Sequence, residues 1–177
     1  MFTFPCGSPA LDFVGTLKNR DTARRETLTT ADDLELWLSE SGAVDESPEF
    51  ESLDAAIELR EAIYDLLTAR MSETAYDDIA LSTVNAFAAQ PPPTTTLSPV
   101  GSRTTATAQQ ALSLIARDAI TLLSGPEAAQ LKHCGRPDCT QVYLDRSRGG
   151  RREWCSMETC GNRMKAGAFR ARRASAA

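Results

Sequence analysis

Four of the five cysteines fall in two C-x4-C pairs, Cys134–Cys139 and Cys155–Cys160, with fifteen residues between the pairs. Two close pairs joined by a hairpin-length spacer supply what a tetrahedral zinc site requires. Each pair holds two thiolates on a tight turn, and the spacer brings the turns together. So short a segment buries too few apolar residues to fold by itself, whereas structural zinc contributes roughly 10–16 kcal/mol at neutral pH. Disulfides are the competing chemistry. Met1-Phe-Thr-Phe-Pro-Cys6, however, has no basic stretch followed by an apolar one, so no export signal is read and the expected compartment is the cytoplasm, where thiols bind metal more often than they pair. Four unlinked core thiols are the other alternative, although chance does not set them symmetrically beside turn residues such as Gly135 and Pro137. The favoured reading is a structural Zn2+ closed by Cys134, Cys139, Cys155 and Cys160, with no open coordination position. His133, the only histidine, is left outside because the tetrahedron is already complete.

The cations around these cysteines form two sets. Arg146, Arg148, Arg151 and Arg152 precede the third cysteine. Arg163, Arg170 and Arg173 fall on one helical face, with Lys165 and Arg172 on an adjoining stripe. Residues 1–125 carry 8 Lys/Arg against 19 Asp/Glu, and residues 126–177 carry 11 against 5, so the net −5 divides into −11 and +6. A basic tail on an acidic body points to a polyanion such as double-stranded DNA, whose phosphates would be neutralised by the helix and loop cations. The alternatives are a tail docked on its own body, and an Arg163 that braces the finger through a backbone carbonyl or Asp145.

Cys160-Gly161-Asn162-Arg163, with Arg151-Arg152-Glu153-Trp154-Cys155-Ser156-Met157 and Leu144-Asp145-Arg146-Ser147-Arg148 before it, resembles the CGNR zinc finger over about 45 residues. The resemblance implies a bacterial family of stress-induced transcription regulators in which this finger follows an N-terminal ABATE domain, and it implies DNA binding by the finger. In the N-terminal region only Leu11-Asp12-Phe13-Val14-Gly15-Thr16-Leu17 resembles that family, and Gly15 stands where its members usually carry Asn.

The elements that position these residues are mainly helical. Ser8 and Pro9 start a short helix over 8–19, and Thr30-Ala-Asp-Asp33 resembles a capping box before Leu34, Trp37 and Leu38. A helix from Ser47-Pro48 to about Met71 carries an apolar stripe at Leu53, Ile57, Tyr64 and Leu67, flanked by Ala56, Leu59, Ile63 and Leu66. Arg60 falls inside that stripe and must be paired or reach water along its stem; Asp12, between core-facing Leu11 and Phe13, is the candidate partner, and the two are the candidate ligand-binding residues. Thr74-Ala-Tyr-Asp77 caps a helix with Ile79, Leu81, Val84 and Phe87 inward, ended by Pro91-Pro92-Pro93. A hairpin is expected about Pro99-Val100-Gly101, and a capping box at Thr107–Gln110 opens a helix with Leu112, Ile115, Ala119 and Leu122 inward. In the finger, Leu131 and Gln141–Leu144 read as short strands, and a helix runs from about Ser156 or Cys160 to Arg173 before a frayed Ser175-Ala-Ala. The expected fold is mainly α with a small β-hairpin: a helical domain over 1–125 and a treble-clef-like finger over 126–177.

No apolar run approaches a membrane span. Nucleophile elbows and glycine-rich phosphate loops are absent, and no histidine sits beside an acid in a cleft motif, so no enzyme is read. The favoured function is a DNA-binding transcription regulator whose first domain senses a small-molecule effector or assembles, for instance as a homodimer. Two rivals stand beside it: a zinc-stabilised protein-interaction module, and a ligand-binding enzyme centred on Asp12 and Arg60.

Overall fold

A computed structural model describes residues 1–175; the last two alanines of the Ser175-Ala-Ala end lie outside the described residues. Pro9–Val14 (α1) is followed by a two-residue ribbon, Leu17–Lys18 (β1) against Arg25–Glu26 (β2). Ala31–Ser41 (α2), Asp54–Met71 (α3) and Asp78–Ala88 (α4) come next. The hairpin Thr94–Ser98 (β3) with Gly101–Thr105 (β4) then leads to Ala108–Ser124 (α5). A 3-10 turn, Pro126–Gln130, precedes the antiparallel pair Leu131–His133 (β5) and Val142–Leu144 (β6). A π-helical turn, Met157–Gly161, runs into Asn162–Ser175 (α6). The mainly helical architecture, the β3–β4 hairpin and the β5–β6 pair agree with the fold expected from the sequence, whereas the β1–β2 ribbon is not anticipated by it.

Helices α3, α4 and α5 pack on one another, and α1 lies across α3 and α5. Trp37 anchors the core, with the Phe13 and Phe4 rings tilted against it at 5.4 and 5.7 Å between centroids. That core is continuous with Leu131, Val142, Tyr143 and Leu144 of the finger. The capping boxes at Thr30/Asp33 and Thr107/Gln110 both form, and Leu112, Ile115, Ala119 and Leu122 of α5 are all buried.

Several elements depart from the sequence reading. Helix α1 stops at Val14, because the chain turns at Gly15 to start β1. Helix α3 begins at Asp54 rather than near Ser47, since Asp45 donates to Thr104 O (2.9 Å) and Phe50 donates to Glu35 Oε1 (3.0 Å), pinning this stretch extended against the hairpin and α2. Asp77, not Thr74, caps α4. Val84 of α4 is buried and Leu81 and Phe87 pack on the core as expected, but Ile79 is 77% exposed and Ala80 takes the inward place.

Arg60 is buried at 2% exposure and does not pair with Asp12. Its Nη1 and Nη2 donate to the two oxygens of Glu26 (2.7 and 2.6 Å), Nη1 also reaches Thr16 Oγ1 (3.1 Å), and Nε reaches Glu61 Oε1 (2.9 Å). Burial opposes the charge on Arg60, and the carboxylate contacts outweigh it, so its pKa is raised. Glu61 also pairs with Arg20, whose guanidinium lies 4.0 Å from the centre of the Tyr64 ring.

The acids of this network retain access to water and the guanidinium does not, which makes the two ends unequal. Glu26→Gln, which leaves the buried cation short of charge, is expected to cost about 3 kcal/mol in urea unfolding, and Arg60→Met about 1 kcal/mol. Equal losses, or a larger one for Arg60→Met, would contradict this asymmetry.

Candidate metal centre

Cys134 follows β5 directly and donates its N–H to Gln141 O (3.0 Å), while Cys139 N–H closes the turn on Arg136 O (3.1 Å) with Asp138 in the left-handed region (φ 65). The Arg136 and Gln141 amides donate to the sulfurs of Cys134 and Cys139, as zinc knuckles do. Gly135 N–H to Glu153 O (2.8 Å) and Cys155 N–H to Cys134 Sγ (3.4 Å) lay the second pair on the first. Cys160 sits in the π-helical turn that feeds α6.

All four sulfurs lie within 4.8 Å of one another. The separations are 3.9 Å for Cys139–Cys155, 3.6 Å for Cys155–Cys160 and 3.7 Å for Cys160–Cys139. A tetrahedron with Zn–S bonds of about 2.3 Å has edges near 3.8 Å, so the donor set fits zinc. In the protein alone the thiols share protons. Bonds from Cys139 and Cys155 hold Cys134 far below the ordinary thiol range, and the bond to Cys134 lifts Cys139 to about 11. Bonds to Cys134 and Cys139, then burial, push Cys155 up. A divalent cation does the work of those protons without leaving any sulfur neutral. The site is a closed structural zinc centre.

A second layer orients it. Arg136 Nε donates to Cys160 Sγ (3.2 Å) and Nη2 to Asn19 Oδ1 (3.2 Å), which ties the first knuckle to the body. A side chain on Gly161 would meet Met157 Sδ at 2.6 Å and Trp154 Cδ1 at 3.1 Å, so it would need the exposed Met157 side chain to move aside and the indole to give slightly. Asp145 accepts from Lys132 Nζ (2.7 Å), Ser147 N (3.0 Å) and Arg152 N (3.1 Å), and the lysine and serine bonds hold its carboxyl well below the usual range. His133 is exposed and outside the donor cluster.

Of the cations expected to face a nucleic acid, Arg146 and Arg152 are bonded to the protein itself, Arg152 half-buried and Arg146 at the exposed surface. Arg146 forks Glu127 (2.6 and 2.9 Å) and donates to Gly7 O (2.8 Å). Arg152 donates to Pro5 O (2.8 Å), Trp154 O (2.8 Å) and Leu144 O (3.3 Å), with its guanidinium 4.5 Å from the Tyr143 ring centre. These two side chains staple the finger to the N-terminal segment. Arg148 and Arg151 are exposed. Among the described residues Arg163 bonds neither Asp145 nor a backbone carbonyl, and Asp145 is filled by the groups named above.

The residue that sequence reasoning missed is Gln141. Its Nε2 donates to Gly15 O (2.8 Å) and its Oε1 accepts from Cys6 Sγ (3.4 Å), joining the finger to α1. A side chain at Gly15 would press on Gln141 Oε1, so it would have to displace the amide from its bonds to Cys6 and Gly15. Cys6 is the buried thiol expected, with burial raising its pKa. Asp12 accepts from Cys6 N (2.9 Å), and burial lifts its pKa to about 6. It borders a cavity beside the finger that Arg60 does not reach.

Helical body and closed four-cysteine centre define a zinc-finger protein with an N-terminal helical domain. Residues 130–173 match the CGNR zinc finger. Residues 7–126 match ABATE, described as "Putative stress-induced transcription regulator", and the chain belongs to that family. No curated protein matches the chain.

Protein purified without chelator should carry about one zinc ion per chain, and Cys155→Ser or Cys160→Ser should lower that severalfold, because a three-sulfur site no longer closes the tetrahedron. Elemental analysis checks this; full occupancy in either variant would contradict it.

Proposed function

We propose that the protein is a DNA-binding transcription regulator in which α6, with Arg148 and Arg151 of the loop, contacts duplex phosphates, while the helical body senses an effector or mediates homodimer assembly. The observation that carries this reading is that the side chains of Arg163, Lys165, Arg170, Arg172 and Arg173 make no hydrogen bond or ion pair among the described residues. Arg173 only leans over the Phe169 ring at 5.8 Å. The body carries 19 acids that a basic helix could fold back upon, so an unpaired α6 is better matched to an external polyanion. The family description points the same way.

The docking bonds of Arg146 and Arg152 favour, in part, the alternative of a finger that serves protein–protein contact. The enzyme alternative loses its centre, because Asp12 and Arg60 bond different partners. Among the described residues no helix is long and apolar enough to cross a membrane.

Fluorescence anisotropy on random duplex over a salt series tests the proposal. Each phosphate neutralised contributes about −0.9 to the slope of log K against log salt. The double substitution Arg170→Ala, Arg173→Ala is expected to flatten that slope by about two units and to weaken all sequences alike. No binding at low salt would support the interaction module, and an unchanged slope would remove α6 from the interface.

A further inference from the structure

A cavity of about 170 Å³ lies at the seam between body and finger. Its floor is formed by Cys139, Cys155 and Cys160, so the zinc centre takes part of this space and the remainder suits a small organic acid or inorganic phosphate, far below a stretch of duplex. Its lining draws Asp12 from α1, Lys18 from β1, Arg25 from β2, Arg136 and Gln141 from the finger's first half, and Arg163 from the start of α6. Segments far apart in the chain thus converge on one small space.

The charges there are not balanced from within. Among the described residues the side chains of Lys18, Arg25 and Arg163 have no hydrogen-bond or ion-pair partner. Arg136 is turned to Cys160 Sγ and Asn19, where it offsets part of the formal −2 of a four-thiolate zinc centre. Two acids border the adjoining surface, but Glu26 is held by Arg60 and Asp33 by the cap of α2. Asp12 is the single carboxylate in the cavity, so four cations outweigh it and the metal centre together. Gln141 is engaged at both ends of its amide and closes the wall. Arg25 and Arg163 reach the seam from exposed positions, where water screens part of their repulsion, and an anion set among them would meet three unpaired cations.

We propose that this seam binds a small oxyanion that also bears a hydroxyl donor: Lys18, Arg25 and Arg163 clamp the anionic oxygens, and Asp12 accepts from the hydroxyl. A carboxylate and a phosphate share this chemistry. Arg163 is the second residue of α6, so the anion would link the body directly to the helix assigned above to DNA. That consequence rests on the proposed function; the binding itself does not.

The test is calorimetric titration of the zinc-loaded full chain with malate and, separately, with inorganic phosphate. Saturable one-site binding of either probe is expected, and the probe that binds identifies the source of the oxyanion. Arg25→Met and Arg163→Met should each weaken it about tenfold or more, the usual scale for losing a charge-assisted contact. Both side chains are unpaired, so zinc content and helicity should be retained. Arg24→Met is the control: it removes the neighbouring cation, which lies outside the lining, and should change affinity less than about twofold. Absence of saturable binding for both probes would overturn the proposal, and so would binding untouched by Arg25→Met and Arg163→Met. An equal loss in Arg24→Met would mean diffuse surface attraction and would also overturn it. Failure of DNA binding in the anisotropy experiment would leave this result standing, so the two readings fail separately.

Discussion

Four sulfur atoms held within 4.8 Å of one another cannot all be thiolates unless a cation sits among them. The C-terminal third of the chain depends on that constraint. The β5–β6 pair is only three residues a side, and a ribbon of that size is not stable on its own. The π-helical turn that delivers Cys160 also sets where α6 starts. Once the metal fixes the two knuckles, the inner faces of Tyr143, Leu144 and Val142 merge with the apolar body, and the finger becomes part of one core.

The cations divide according to this packing. Arg136, Arg146 and Arg152 have backbone carbonyls, a sulfur or an acid within reach and are spent on structure. Those of α6 leave the body after the metal site and find no acid to meet, although the body is strongly acidic. Position in the fold thus separates structural arginines from those available to a polyanion. Lys18 and Arg25 of the body, with Arg163 at the start of α6, stay unpaired at the edge of the seam cavity.

What could be read from the sequence was whatever is governed by local spacing. The C-x4-C pairs, the two capping boxes and the apolar face of α5 each depend on residues a few positions apart, and all three appear in the structure. Features governed by distant partners were not legible. Arg60 lies 34 residues from Glu26, which is presented by a two-residue strand too short to carry a pattern. Gln141 lies 126 residues from Gly15, and nothing local marks it as the link between finger and body. The late start of α3 follows from bonds to the hairpin and α2 that Pro48 could not reveal. A signal for the structural role of Arg136 was present: a cation inside a knuckle has thiolates on both sides.

Because finger and body share a core, the metal should stabilise both. Thermal unfolding of the full chain followed by far-ultraviolet circular dichroism, with and without a zinc chelator, measures this most directly, since most of that signal comes from the body's helices. The expected result is a single cooperative transition that moves to markedly lower temperature when zinc is removed. A helical transition at the same temperature in both conditions would show that the metal holds only its own turns, contradicting the zinc centre as the staple of the whole protein.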